Sequence, residues 1–171
     1  RTANLQQRRQ LCAQLGEFLA QADWQQTELK KLESISRQAR AEWQSHYPCD
    51  HRKLKPVEKQ FEAMQEQLHD HIRQSKNQNL ELKQQLVTQA QALAELESDN
   101  EATDQAKLLQ KRWQQIGPAP RKEDQRAWQA FRSACDQVFN RRAEAYQADK
   151  AALAAQLAAV NSALDELEQR S

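Results

Sequence analysis

From Val57 to Glu97 the chain runs without a single glycine or proline. A stretch of roughly 40 residues that nothing interrupts reads as one helix, near 60 Å long at about 1.5 Å per residue. Along it Phe61, Met64, Leu68 and Ile72, then Leu82, Leu86, Leu93 and Leu96, recur at helical spacing. Between the two groups lies Gln74-Ser75-Lys76-Asn77-Gln78-Asn79, a polar layer across which the helix is expected to continue with weaker packing. The whole chain holds only Gly 2 and Pro 4 among 171 residues, too few for a β-rich or loop-rich fold. Mean hydropathy is −1.02, which suits long helices that bury one narrow stripe and leave the rest wet.

The other helices follow from the same periodicity. One is expected from Ala3 to Gln21, with Leu5, Leu11, Leu15, Phe18 and Leu19 on one face. Asp23 reads as the N-cap of a second, which carries Leu29, Leu32, Ile35, Ala39 and Trp43 and breaks at His46-Tyr47-Pro48-Cys49. The chain restarts near Asp50, with Pro56 expected in the first turn. Ser98-Asp99-Asn100 reads as a turn and cap, followed by a helix from Ala102 to Gln115 that Gly117-Pro118 ends. The last helix starts near Pro120 or Arg121. Its early face is Trp128, Phe131, Cys135, Val138 and Phe139; its late, alanine-rich part carries Tyr146, Leu153, Leu157, Val160, Leu164 and Leu167.

The chain repeats itself. Trp43-Gln44, Pro48 and Phe61 fall 70 residues before Trp113-Gln114, Pro118 and Phe131; Asn4-Leu5 and Leu11 fall 75 before Asn79-Leu80 and Leu86. Each unit reads helix, turn, helix ending in Trp, proline-containing break, long helix. The expected fold is all-α: elongated tandem helical repeats with long antiparallel, coiled-coil-like helices. The expected divisions are 1–78, a degenerate first repeat; 79–149, a second; and 150–171, the start of a further repeat or a terminal extension. Trp43, Phe61, Trp113, Ile116, Gly117, Pro118, Trp128 and Phe131 form the expected hinge core.

The pattern Trp113, Ile116-Gly117-Pro118, Arg121, Trp128, Phe131, Arg132, Phe139 resembles the bacterial family of unknown function numbered three-hundred-and-forty-nine, marked by W-x-x-I-G-hinge repeats. The resemblance covers about 79–146, and more weakly 4–75, where His46-Tyr47-Pro48 replaces Ile-Gly-Pro and Glu58 stands at the place of Trp128. It implies tandem helical repeats in cytoplasmic bacterial proteins, and transfers no catalytic residue and no activity.

Composition narrows the chemistry. His46-x-x-Cys49-x-His51 is the one metal-like cluster, yet the second repeat has Ala119 opposite Cys49 and no second cysteine pair completes a set, so no metal is expected. Two isolated glycines leave no phosphate loop. The scattered carboxylates read as solvated helix surface, so no enzyme, cofactor or small-molecule substrate is expected. Cys12, Cys49 and Cys135 form no disulfide framework, which points to the cytoplasm; no membrane-spanning run is present. Net charge is +1, but Lys107, Lys111, Arg112, Arg121, Lys122, Arg126, Arg132, Arg141 and Arg142 face only Glu123, Asp124 and Asp136 in one stretch. Lys111, Arg112, Arg121, Lys122, Arg126, Arg132, Arg141 and Arg142 are therefore candidate nucleic-acid or anion contacts, which makes RNA or DNA binding the second reading. The first is a scaffold or adaptor module whose leucine and alanine stripes meet a protein partner or a neighbouring repeat.

Overall fold

The computed structural model describes residues 1–25 and 27–170. Five α-helices carry the described chain: α1 (Thr2–Gln21), α2 (Leu29–Ser45), α3 (His51–Ala92), α4 (Asp99–Gln115) and α5 (Arg121–Arg170), with a 3-10 turn at Leu93–Glu95 after α3. No strand occurs among the described residues. The polar layer does not interrupt α3, because its side chains have partners: Lys76 pairs with Glu33 at 3.1 Å, and Asn79 donates to the Pro118 carbonyl at 2.8 Å.

Two units divide the chain, Arg1–Leu80 with Gly117–Arg121, and Glu81–Ile116 with Lys122–Ser171. The hinge residues 117–121 go with the first unit.

In the first unit α1, α2 and the first part of α3 run up, down and up. Asn4 at the start of α1 donates to Pro48 O just past the end of α2, while Cys12 approaches Val57 O and the added Cβ of Gly16 would meet Met64. Going down α2, Trp43 lies on Phe61, Ser36 on Gln65 and Glu33 on Lys76. Leu5, Leu11, Cys12, Leu15 and Leu19 of α1 close over Leu32, Ala39, Phe61 and Leu68. This is the i, i+3, i+4, i+7 stripe of an amphipathic helix buried on one side. The second unit repeats the arrangement with smaller residues. Leu86, Ala90 and Leu93 of α3, Ala102, Ala106, Leu109 and Trp113 of α4, and Ala127, Phe131, Cys135 and Val138 of α5 form its core.

Three local expectations change. Asp23 caps a turn instead of a helix: its carboxylate accepts from Gln25 N at 3.2 Å, and α2 begins only at Leu29. The α3 start at His51 puts Pro56 in the second turn, because Asp50 caps the helix by accepting from Arg52 N. α4 ends at Gln115 as expected, but its C-cap is Ile116, an extended residue with ψ 135°, and Gly117 adopts no positive φ. Ser98 caps α4 as expected, accepting from Glu101 N at 3.2 Å.

Candidate functional site

The two corners share one construction. In the first unit Trp43 stacks on Phe61, with ring centroids 4.3 Å apart and planes 7° from parallel. In the second, Trp113 stacks on Phe131 at 4.6 Å and 14°. The other face of each indole carries a buried cation: the Arg8 guanidinium lies 4.5 Å from the Trp43 ring, and the Lys83 ammonium 5.2 Å from Trp113. Such contacts stabilise by about 0.5–2 kcal/mol when desolvated. Arg8 and Lys83 are 75 residues apart, the offset that relates Asn4 to Asn79. Each asparagine fastens the loop after its tryptophan by donating to the proline carbonyl, Pro48 at 2.9 Å and Pro118 at 2.8 Å. The repeat read from tryptophan, proline, phenylalanine and asparagine thus extends to a cation that sequence spacing alone did not single out.

The cations are neutralised differently. Arg8 Nε donates to the Trp43 carbonyl at 3.0 Å, which also accepts from the His46 N–H at the end of α2. Lys83 pairs with Asp124 at 2.8 Å, and Leu54 stands at the position of Asp124 in the first unit. The remaining cores differ as well. Ser36, Gln65 and His69 form a hydrogen-bonded group in the first unit, with Ser36 Oγ donating to Gln65 Oε1 at 2.9 Å and 3.0 Å from His69 Nε2. Ala106, Cys135 and Phe139 take those places in the second.

Of the expected hinge core, Trp43, Phe61, Trp113 and Phe131 are buried. Trp128 is not: it is 43% exposed and forms the rim of the corner, its ring 5.6 Å from Trp113. Ile116 and Gly117 are half-buried and Pro118 is exposed. The absence of a side chain at Gly117 matters by close approach. A Cβ there would lie 2.9 Å from Asn79 Nδ2, the atom that holds Pro118. Gly117→Ala is therefore expected to push Asn79 off its carbonyl and cost about 1 kcal/mol, the net value of one hydrogen bond. The same substitution beside Asn79→Ala should cost almost nothing more, as urea denaturation of the single and double variants would register.

The basic candidates separate. Arg141 is spent on structure: its Nε pairs with Asp99 at 2.6 Å and its Nη1 donates to Ala94 O at 3.1 Å, joining α5 to the start of α4 and the turn after α3. Arg132 faces Asp136 one turn on, at 3.8 Å. Lys111, Arg112, Arg121, Lys122, Arg126 and Arg142 are exposed. The histidines do not converge either. His69 reaches Ser36, His71 stacks on Trp24 at 3.6 Å, and Cys49 donates its thiol to the His46 carbonyl at 3.3 Å. No three metal-ligating side chains come together among the described residues. Burial holds the Cys12 thiol above its usual range, and burial followed by the Asp136 charge pushes Cys135 up to about 11. Both are therefore protonated at neutral pH and act as small core residues.

A run of exposed apolar residues lies at the far end of α5. Every described residue from Tyr146 to Arg170 is exposed, including Tyr146, Leu153, Leu157, Val160, Leu164 and Leu167. No described helix is long and apolar enough to cross a membrane.

The described residues form an all-α protein that leaves Leu153, Leu157, Val160, Leu164 and Leu167 of α5 exposed. Residues 51–122 match the family model DUF349, a Domain of Unknown Function. The resemblance read from the hinge residues therefore holds, over a segment that runs from the start of α3 through the Trp113 hinge to the start of α5, in place of the expected 79–146. No curated protein and no solved structure matches the chain.

Proposed function

We propose that the chain is a non-catalytic scaffold or adaptor module of a cytoplasmic bacterial protein, docking through the bare face of α5. The exposure of Leu153, Leu157, Val160, Leu164 and Leu167 on one helix carries the reading. A contiguous apolar face on a soluble helix marks an interaction surface. The separate thiols of Cys12, Cys49 and Cys135 support a reducing compartment. Leu157→Lys combined with Leu164→Lys tests it. Both positions are exposed on a helix of strong propensity, so circular dichroism should be unchanged while capture of a protein partner by the immobilised whole chain is lost. Capture that is indifferent to the two lysines would end the reading.

Nucleic-acid binding stays as a second reading because Lys122 and Arg126 lie one turn apart on α5 and are both exposed. It requires that duplex DNA or RNA bind at low salt, that affinity fall steeply as salt rises, and that Lys122→Glu with Arg126→Glu abolish it.

A further inference from the structure

The two corners are built alike, yet the cavities beside them differ in chemistry. In the second unit Gln110, Trp113, Gln114 and Trp128 line a cavity of about 430 Å³, inside the range of about 300–1,000 Å³ usual for ligand sites. In the first, the lining of a cavity of about 290 Å³ includes Arg40, Trp43, Gln44, Glu58 and Glu62. The 70-residue offset pairs the two corners: Gln110 stands for Arg40, Gln114 for Gln44, Trp128 for Glu58 and Arg132 for Glu62. The second corner thus has an indole and a guanidinium where the first has two carboxylates. Packing does not require that indole, since Glu58 fills its place beside the same tryptophan-on-phenylalanine stack.

The rings decide how a ligand lies there. Phe131 stacks on one face of Trp113 at 4.6 Å and Lys83 caps the other at 5.2 Å, so Trp113 offers the cavity only its edge. Trp128 is 43% exposed and leans on Trp113 at 5.6 Å and on Phe131 at 6.2 Å. The two indoles already touch, so nothing enters between them, and the exposed face of Trp128 is a fixed platform for one flat ring. Gln110 and Gln114 bring carboxamides, each with a donor and an acceptor, to the same cavity. A carboxamide matches the donor–acceptor edge of a nucleobase, as glutamine does with adenine. Lys111 lies three residues before Gln114 and Arg132 four after Trp128, so each shares a helix face with a lining residue, and both are exposed. Arg132 is held only by Asp136 at 3.8 Å, in a pair whose members are 68% and 58% exposed and which therefore contributes little. Asp124, one turn before Trp128, is already paired with Lys83. The cations favour a ring that carries phosphate over a neutral sugar or a proline-rich peptide.

We propose that the Trp128 corner binds an unpaired nucleic-acid strand, with one base stacked on Trp128, its edge against Gln110 and Gln114, and the flanking phosphates on Lys111 and Arg132. The inference rests on the second reading, nucleic-acid binding, and gives it a site and a preference for single strands. A base inside a duplex is stacked on both faces already and cannot lie on the indole.

Fluorescence anisotropy of a short labelled oligodeoxyadenylate with the whole chain tests it, read against a duplex of the same length and a strand of abasic sites. The oligodeoxyadenylate should bind most tightly of the three. Trp128→Ala should weaken it by about tenfold or more, the stacking of one base, and leave the salt dependence as it was. Trp128→Phe should keep most of the affinity, and Trp128→Glu, which copies Glu58 of the first corner, should abolish it. Lys111→Glu with Arg132→Glu should instead flatten the salt dependence. Trp128, Lys111 and Arg132 are exposed, so these variants should fold, which circular dichroism checks. Abasic or duplex strands that bind as tightly, affinity indifferent to Trp128→Ala, or a proline-rich peptide bound through Trp128 in place of the strand would overturn the proposal. Binding that needs Lys122 and Arg126 but not Trp128 overturns it and leaves the second reading standing; no binding of any strand at low salt ends both.

Discussion

Trp113→Ala is expected to lower the unfolding free energy of the second unit by about 3–5 kcal/mol, the usual cost of truncating a buried tryptophan. Trp113 is 9% exposed and is touched on several sides. Phe131 stacks on it at 4.6 Å, Trp128 leans on it at 5.6 Å and Lys83 caps it at 5.2 Å. Five of the other eleven core residues of this unit are alanines, Ala90, Ala102, Ala106, Ala127 and Ala134, and an alanine has no side-chain rotation with which to fill the space an indole leaves. Trp128→Ala is the internal control. Its 43% exposure predicts a loss under about 1 kcal/mol. Urea denaturation of the two variants side by side measures both. A Trp113 loss as small as that of Trp128 would mean the corner does not depend on the indole.

The second large effect concerns Lys83. Its side chain is 7% exposed, and its ammonium sits 2.8 Å from Asp124, which is 28% exposed. Removing one member of a buried pair leaves an uncompensated charge and costs about 3–5 kcal/mol; the partial exposure of Asp124 places Asp124→Ala at the lower end. Lys83→Met should be milder, because the thioether stem can still cover Trp113 and no charge is stranded in the core. The double variant Lys83→Met with Asp124→Ala should then be more stable than Asp124→Ala alone. Strict additivity of the two losses would show that the pair is not coupled.

Lys83 also shows where sequence reading stops. Helical spacing fits Leu82, Leu86, Leu93 and Leu96 as an inner stripe, yet Leu82 is 47% exposed and Lys83 is buried in its place. Hydrophobicity favours Leu82 over its neighbour. Only the position of Trp113 and Asp124, on two other helices, makes the inner site suitable for an ammonium. Arg8 is hidden in the same way, because its partner is an indole face and a backbone carbonyl 35 residues away. The Ser36–Gln65–His69 group lies on two helices and carries no local pattern. By contrast, helix ends, the tryptophan corners and the long α3 were legible, since they depend on neighbours in sequence: Ser98 before α4, Pro48 after α2, and the lack of any glycine or proline between Val57 and Glu97. The role of Gly117 was legible only in part. Its position past a helix end marked it as a terminator, and the chain also uses its missing Cβ to admit Asn79. The basic residues were countable in sequence, but the pairing of Arg141 with Asp99 and of Arg132 with Asp136 was not.

These comparisons leave the bare face of α5 as the surface that the fold itself does not use. Amide hydrogen exchange over 146–170, followed as a captured protein partner is added, tests its role most directly. Protection that grows with added partner in the native chain, and is absent in the Leu157→Lys, Leu164→Lys variant, is the predicted result. Equal exchange in the two chains with the partner present would contradict the account.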